Sequence, residues 1–138
     1  MKEIKSILVV DDDLDDRSFF VEAIGESSPH TKIMQAEDGE IALKLLDTIL
    51  LNLPDFIFLD LNMPKKNGKS VLKEIKGNQF LQHIPVYIFS TTSDPKDIRE
   101  SMELGAKSFI TKPFALCDWI KQIKSILSLK HNKYPEEN

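Results

Sequence analysis

Five short apolar runs recur along the chain, and each leads into a longer stretch with helical spacing. They centre on Ile7-Leu8-Val9-Val10, on residues 31–36, on Phe56-Ile57-Phe58-Leu59, on Val86-Tyr87-Ile88-Phe89 and on Phe109-Ile110-Thr111. The runs are rich in Ile, Val and Phe and carry little polar alternation, the pattern of strands buried on both faces. We read strands at 6–10, 31–36, 55–60, 85–90 and 107–111, and helices at 14–27, 39–52, 67–77, 95–104 and 114–130. Five βα units in series predict an α/β fold, a single doubly wound (βα)5 domain. Its sheet is parallel, its crossovers are right-handed and its helices cover both faces. A chain of 138 residues suits one such core.

Local signals mark the boundaries. Asp13 is placed to N-cap the first helix, with Asp15 and Asp16 suited to the dipole of its first turn. Asp94 precedes Pro95, a cap followed by proline at the first helical position. Gly105 can close that helix in the left-handed conformation. Leu116, Ile120, Ile123 and Leu127 form a core-facing stripe on the last helix, with Trp119 and Ile126 beside it. Phe80, Leu81 and Ile84 should pack the long segment 78–84 against the body. The domain is expected over 5–130, with 131–138 as a polar, flexible tail.

Four of the strands end on a reactive polar group. Asp11 and Asp12 follow the first, Asp60 ends the third, Ser90 ends the fourth and Lys112 follows the fifth. In an open parallel sheet, ligands bind outside the carboxyl ends of the strands. With strand order 2-1-3-4-5 the first and third strands are neighbours, and Asp11, Asp12 and Asp60 converge. Each like-charge pair at ~4 Å costs on the order of 1–4 kcal/mol. A hard divalent cation with oxygen ligands, Mg²⁺ (or Mn²⁺), offsets that repulsion. The backbone carbonyl of Asn62 is a further candidate ligand. Taken singly, these features have plainer readings: a solvated helix entry at Asp11-Asp12-Asp13, turn chemistry at Ser90, Thr91 and Thr92, and a core ring at Phe109.

Composition narrows the function. A net charge of −4 opposes a general electrostatic footprint for nucleic acid, and the pair Lys65-Lys66 with Lys130 and Lys133 reads as solvated surface. No apolar run reaches the ~18 residues of a membrane span, and the first residues lack a signal-peptide pattern. Cys117 is the single cysteine, so no internal disulfide can form. A cytoplasmic location is the expectation. Cys117 reads as inert packing, and His30, His83 and His131 are too scattered to ligate a metal together.

The ordered set Val10-Asp11-Asp12, Leu59-Asp60-Leu61-Asn62-Met63-Pro64 with Gly68, Ser90-Thr91 and Lys112-Pro113-Phe114 resembles the receiver domain of bacterial two-component response regulators. The strand order is that of flavodoxin and of a chemotaxis receiver, so the flavodoxin-like topology rests partly on this resemblance. The resemblance implies that Asp60 is the phosphoacceptor, with Asp12 a direct metal ligand and Asp11 acting largely through water. It implies Ser90 as switch hydroxyl, Thr91 beside it, Lys112 as the phosphoryl-contacting lysine and Phe109 as switch aromatic. Pro113 sits where the family has a cis proline. Lys112 is expected to pair with Asp60 at rest.

The implied function is a stand-alone, chemotaxis-regulator-like receiver in phosphorelay signal transduction. It takes a phosphoryl group from a sensor histidine kinase or phosphotransfer protein and has no enzymatic role beyond its own phosphorylation and dephosphorylation. Binding to nucleic acid or membrane is not implied. A homodimer through the face of the fourth helix, fifth strand and fifth helix fits the family, with Trp119 either on that face or in plain semi-buried packing. Three other readings compete, one of them a degenerate receiver that only docks, against which the intact residue set argues. A haloacid-dehalogenase-like phosphatase would want Thr or Val where Asp15 stands, and a cap domain. A flavin binder would want a Gly/Ser/Thr-rich first loop in place of three aspartates.

Overall fold

The computed structural model describes residues 4–64 and 66–133, with side chains through 128. Lys65, Met1 to Glu3 and residues 134–138 lie outside the described residues. The ten elements alternate: β1 (Ser6–Val10), α1 (Leu14–Ser27), β2 (Lys32–Ala36), α2 (Gly39–Thr48), β3 (Phe56–Asp60), α3 (Gly68–Lys76), β4 (Val86–Ser90), α4 (Pro95–Glu103), β5 (Ser108–Thr111) and α5 (Leu116–Lys133). The five strands form one parallel sheet in the order β2-β1-β3-β4-β5. Fold class and strand order are those expected from the sequence.

Successive strand residues point to opposite faces, so each apolar run feeds two cores. Leu8, Val10, Ile57, Leu59, Val86 and Ile88 pack with Leu46 of α2 and Val71, Leu72 and Ile75 of α3. Ile7, Val9, Phe56, Phe58, Tyr87 and Phe89 pack with Phe20 and Ile24 of α1 and Trp119, Ile123 and Leu127 of α5. All ten residues of β3 and β4 are buried, which accounts for the apolar runs that lead up to Asp60 and Ser90.

The caps behave as read. Asp13 Oδ1 accepts from the Asp15 and Asp16 N–H groups, and Asp94 caps α4 ahead of Pro95. Gly105 takes φ +107 after α4. Asn67 and Asp38 cap α3 and α2.

Four expectations are corrected. First, α2 stops at Thr48, four residues early: Ile49 and Asn52 turn back on each other, and Pro54 disfavours helix at Leu53. Leu51 is left exposed. Second, α5 continues to Lys133, so 131–133 are helical rather than tail. Third, Leu81 and Ile84 anchor segment 78–84 while Phe80 stays exposed; Lys76 Nζ ties the segment down through the Gln82 and Ile84 carbonyls. Fourth, Cys117 is exposed on α5 rather than packed. Lys66, half of the expected solvated pair, ion-pairs with Glu74.

Candidate functional site

The register of the sheet assembles the site. Val10 lies opposite Leu59, Asp60 opposite Phe89 and Ser90 opposite Thr111, so Asp11, Asp60, Ser90 and Lys112 emerge at one end of adjacent strands. Asp11 is fully buried, Asp60 is 4 % exposed, and Asp12 points to solvent. One oxygen from each of Asp11, Asp12 and Asp60 falls within 4.8 Å of the others. The all-oxygen donor set and its mutual repulsion fit a hard divalent cation.

Backbone geometry fixes these carboxylates. The Asp13 N–H donates to Asp11 Oδ1 at 2.9 Å, and Arg17 Nη1 donates to the Asp11 carbonyl at 2.8 Å. Behind Asp60, the Gly68 N–H donates to the Leu61 carbonyl at 2.8 Å. A Cβ at position 68 would sit 2.5 Å from the Asp60 carbonyl oxygen and 2.7 Å from Leu61 Cα. Glycine there lets the loop carrying Asn62 fold tightly against β3. Asn62 itself is exposed beside a small cleft of about 110 Å³ shared with Asn67, Lys69 and Asp97.

Lys112 reaches into the cluster from β5. Its ammonium lies 2.7 Å from Asp16 Oδ2, 2.9 Å from Asp11 Oδ2 and 3.2 Å from Asp60 Oδ1. The expected pairing with Asp60 is present but is the longest of the three. Asp16, assigned from sequence only to the helix dipole, is the closest partner. Its only signal was its place in the first turn of α1, where side chains lean back toward the helix N-terminus and so toward the strand ends.

Burial would depress the Lys112 pKa, but the contacts with Asp16 and Asp11 outweigh it and hold the ammonium charged above its ordinary range. Burial, then the charge of Asp11, pushes the Asp60 carboxyl up to about 7. Burial also raises Asp11, against the pull of Lys112. Without a cation, the cluster therefore resists full ionisation.

Ser90 is fully buried and its Oγ accepts from the Thr92 N–H at 3.2 Å, while Thr91 is exposed. Phe109 is half-buried, lies opposite Ile88 in register and packs on the α2–α3 side of the sheet. One expectation fails, and the open choice for Trp119 is decided. Among the described residues no peptide bond is cis, so Lys112–Pro113 is trans; the lysine reaches its partners from the more stable isomer. Trp119 is 1 % exposed and does not form part of a surface. It stacks on Phe19 and Phe89 and meets Phe20 edge-on, filling the gap between α1, α5 and β4.

Residues 7–124 match the response regulator receiver domain. The chain belongs to that family. It is 34% identical over 128 residues to the response regulator Rcp1 of Synechocystis sp., covering 90% of this chain and 87% of Rcp1. It is 30% identical to a Vibrio cholerae protein named "Probable cyclic di-GMP phosphodiesterase", covering 93% of this chain but only 28% of that longer one. The phosphorylated cyanobacterial phytochrome response regulator RcpA superposes with a TM-score of 0.85 at 34% identity, covering 94% of this chain and 96% of RcpA. The Mn²⁺-bound form of Rcp1 gives 0.81 at 33%, over 93% of this chain and 95% of that one. Receiver domains are signalling phosphoacceptors that bind a divalent metal and meet histidine kinases or other phosphodonors. The acidic pocket of this receiver fits that chemistry. Among the described residues no helix is long and apolar enough to cross a membrane.

Proposed function

We propose that Asp60 is the phosphoacceptor of this receiver and that a phosphohistidine on a sensor kinase or phosphotransfer protein is its donor. The observation that carries the reading is the meeting of buried Asp60 with Asp11, Asp12 and Lys112 at one sheet edge. An Asp60 oxygen attacks phosphorus, the new O–P bond forms as the imidazole N–P bond breaks, and the imidazole leaves with a proton. Mg²⁺, held by Asp11, Asp12, Asp60 and the Asn62 carbonyl, supplies charge neutralisation for the phosphoryl oxygens when bound. Lys112 neutralises a further oxygen and stays charged through the reaction.

The product adds ~1.5–2 negative charges and new acceptor oxygens beside Ser90. The Ser90 hydroxyl turns toward them, with Thr91 at the pocket rim. Phe109, lacking a hydroxyl of its own, responds by packing alone and biases the face of α4, β5 and α5 toward a partner or a second copy. A cytoplasmic location accords with phosphorylation by such a kinase.

Intact mass after incubation with acetyl phosphate tests this. Wild type gains one phosphoryl group with Mg²⁺ and none in EDTA, and Asp60→Asn gains none in either. Equal gain by Asp60→Asn overturns the assignment.

A further inference from the structure

The ammonium of Lys112 has three N–H donors and three carboxylate neighbours, from α1, the residue after β1, and β3. The two shorter contacts go to Asp16 and Asp11, and the longest, 3.2 Å, to Asp60. Both close partners are themselves held. The Asp13 side chain caps the Asp15 and Asp16 N–H groups, and the Asp13 N–H and Arg17 fix Asp11. The Lys112 side chain is 7 % exposed and that of Asp16 is 19 % exposed, so water competes weakly for this contact. A lysine stem is flexible, and by itself does not aim its charge.

We propose that Asp16 is a positioning residue for phosphoryl transfer: by accepting a hydrogen bond from Lys112, with Asp11 as a charged neighbour, it fixes the ammonium so that an N–H is left to face the reacting oxygen of Asp60. This rests on the reading of Asp60 as the phosphoacceptor. The hydrogen bond to Asp16 uses one donor, Asp11 holds the ammonium by charge at 2.9 Å, and N–H capacity is left for the incoming phosphoryl group, whose oxygen replaces the long contact to Asp60. The lysine then needs no rearrangement during transfer, and preorganisation of this kind lowers a barrier made of charge and position.

The test follows Mg²⁺-dependent phosphorylation by acetyl phosphate, in which the Asp60 O–P bond forms, the acetyl O–P bond breaks and acetate leaves. Asp16→Ala lowers the maximal rate about five- to tenfold and leaves the half-saturating donor concentration within about twofold of wild type. Asp16→Asn, which keeps an acceptor oxygen, recovers to within about threefold of wild type. Asp15→Ala, an exposed neighbour on the same helix with the same charge change, stays within about twofold. A simple charge effect runs the other way, because removing a carboxylate near an anionic donor speeds both Ala variants. Thermal melts confirm folding, and Asp16→Ser repeats the test if the Ala variant melts early. A wild-type chain that gains phosphate while Asp16→Ala is as fast, or while Asp16→Asn is as slow as Asp16→Ala, overturns this inference alone. A wild-type chain that gains none overturns the phosphoacceptor reading and this inference with it.

Discussion

Asp60 is stabilised poorly by its own pocket, and that is what makes it responsive. Its carboxyl titrates near 7 because it is buried and faces Asp11, against an unfolded value of about 3.9. Between those values the folded chain holds a proton that the unfolded chain has released. The stability contributed by this group is thus greatest at low pH and is lost as pH rises through that window. In EDTA, Asp60→Asn is expected to melt above wild type at pH 8, with the difference closing toward pH 4. Mg²⁺ at pH 8 should raise wild type more than the variant, because only wild type offers the third carboxylate. A variant that melts below wild type at pH 8 in EDTA contradicts the account. The sequence made Asp11, Asp12, Asp60 and Lys112 legible because each follows or ends an apolar run. It hid Asp16, because an acidic residue in a first helical turn already has a sufficient local reason to be there.

The elements hold the site through their ends, and glycine decides one of the tightest approaches. Gly68 begins α3 where a methyl group would strike the backbone of Asp60 and Leu61, atoms that cannot rotate away. Gly68→Ala is expected to cost about 1–3 kcal/mol by overpacking and to weaken Mg²⁺ binding by calorimetry, because the Asn62 loop is displaced. Gly25, inside α1 with open space around it, gives the opposite result. Gly25→Ala should stabilise by about 0.5–1 kcal/mol in denaturant unfolding with Mg²⁺ binding unchanged. Equal effects at both positions would sink this reading of the loop. Helix starts were legible because caps are local chemistry: Asp13 and Asp94 behave as their sequences suggest. The end of α2 was less so, since Ile49, Leu50 and Leu51 continue an apolar pattern that Pro54 and the anchored start of β3 override. Asp55 supplies that anchor by accepting from the Lys5 and Ser6 N–H groups.

Across the whole molecule, a parallel sheet covered on both sides brings distant residues to one edge. The parallel α/β fold was readable because five apolar runs alternate with five helical stretches and the crossover rule leaves few ways to connect them, whereas the strand order rested partly on the resemblance to receiver domains. Side-chain placement across the sheet was not readable. Trp119 stands beside the core-facing stripe of α5, where spacing leaves a partner-facing and a packed position equally open, and the packing of Phe19, Phe20 and Phe89 decides for the core. The isomer of the Lys112–Pro113 bond is likewise set by tertiary context, which a dipeptide does not carry. The central claim is that these converging strand ends make Asp60 the group that carries phosphate. Borohydride reduction of the phosphorylated chain, followed by peptide mass mapping, tests it most directly, because an acyl phosphate is reduced to an alcohol at the residue that bore it. The account predicts homoserine at position 60 alone, dependent on Mg²⁺ during phosphorylation. Homoserine at position 11 or 12, or none at position 60 in a chain that has gained a phosphoryl group, would contradict it.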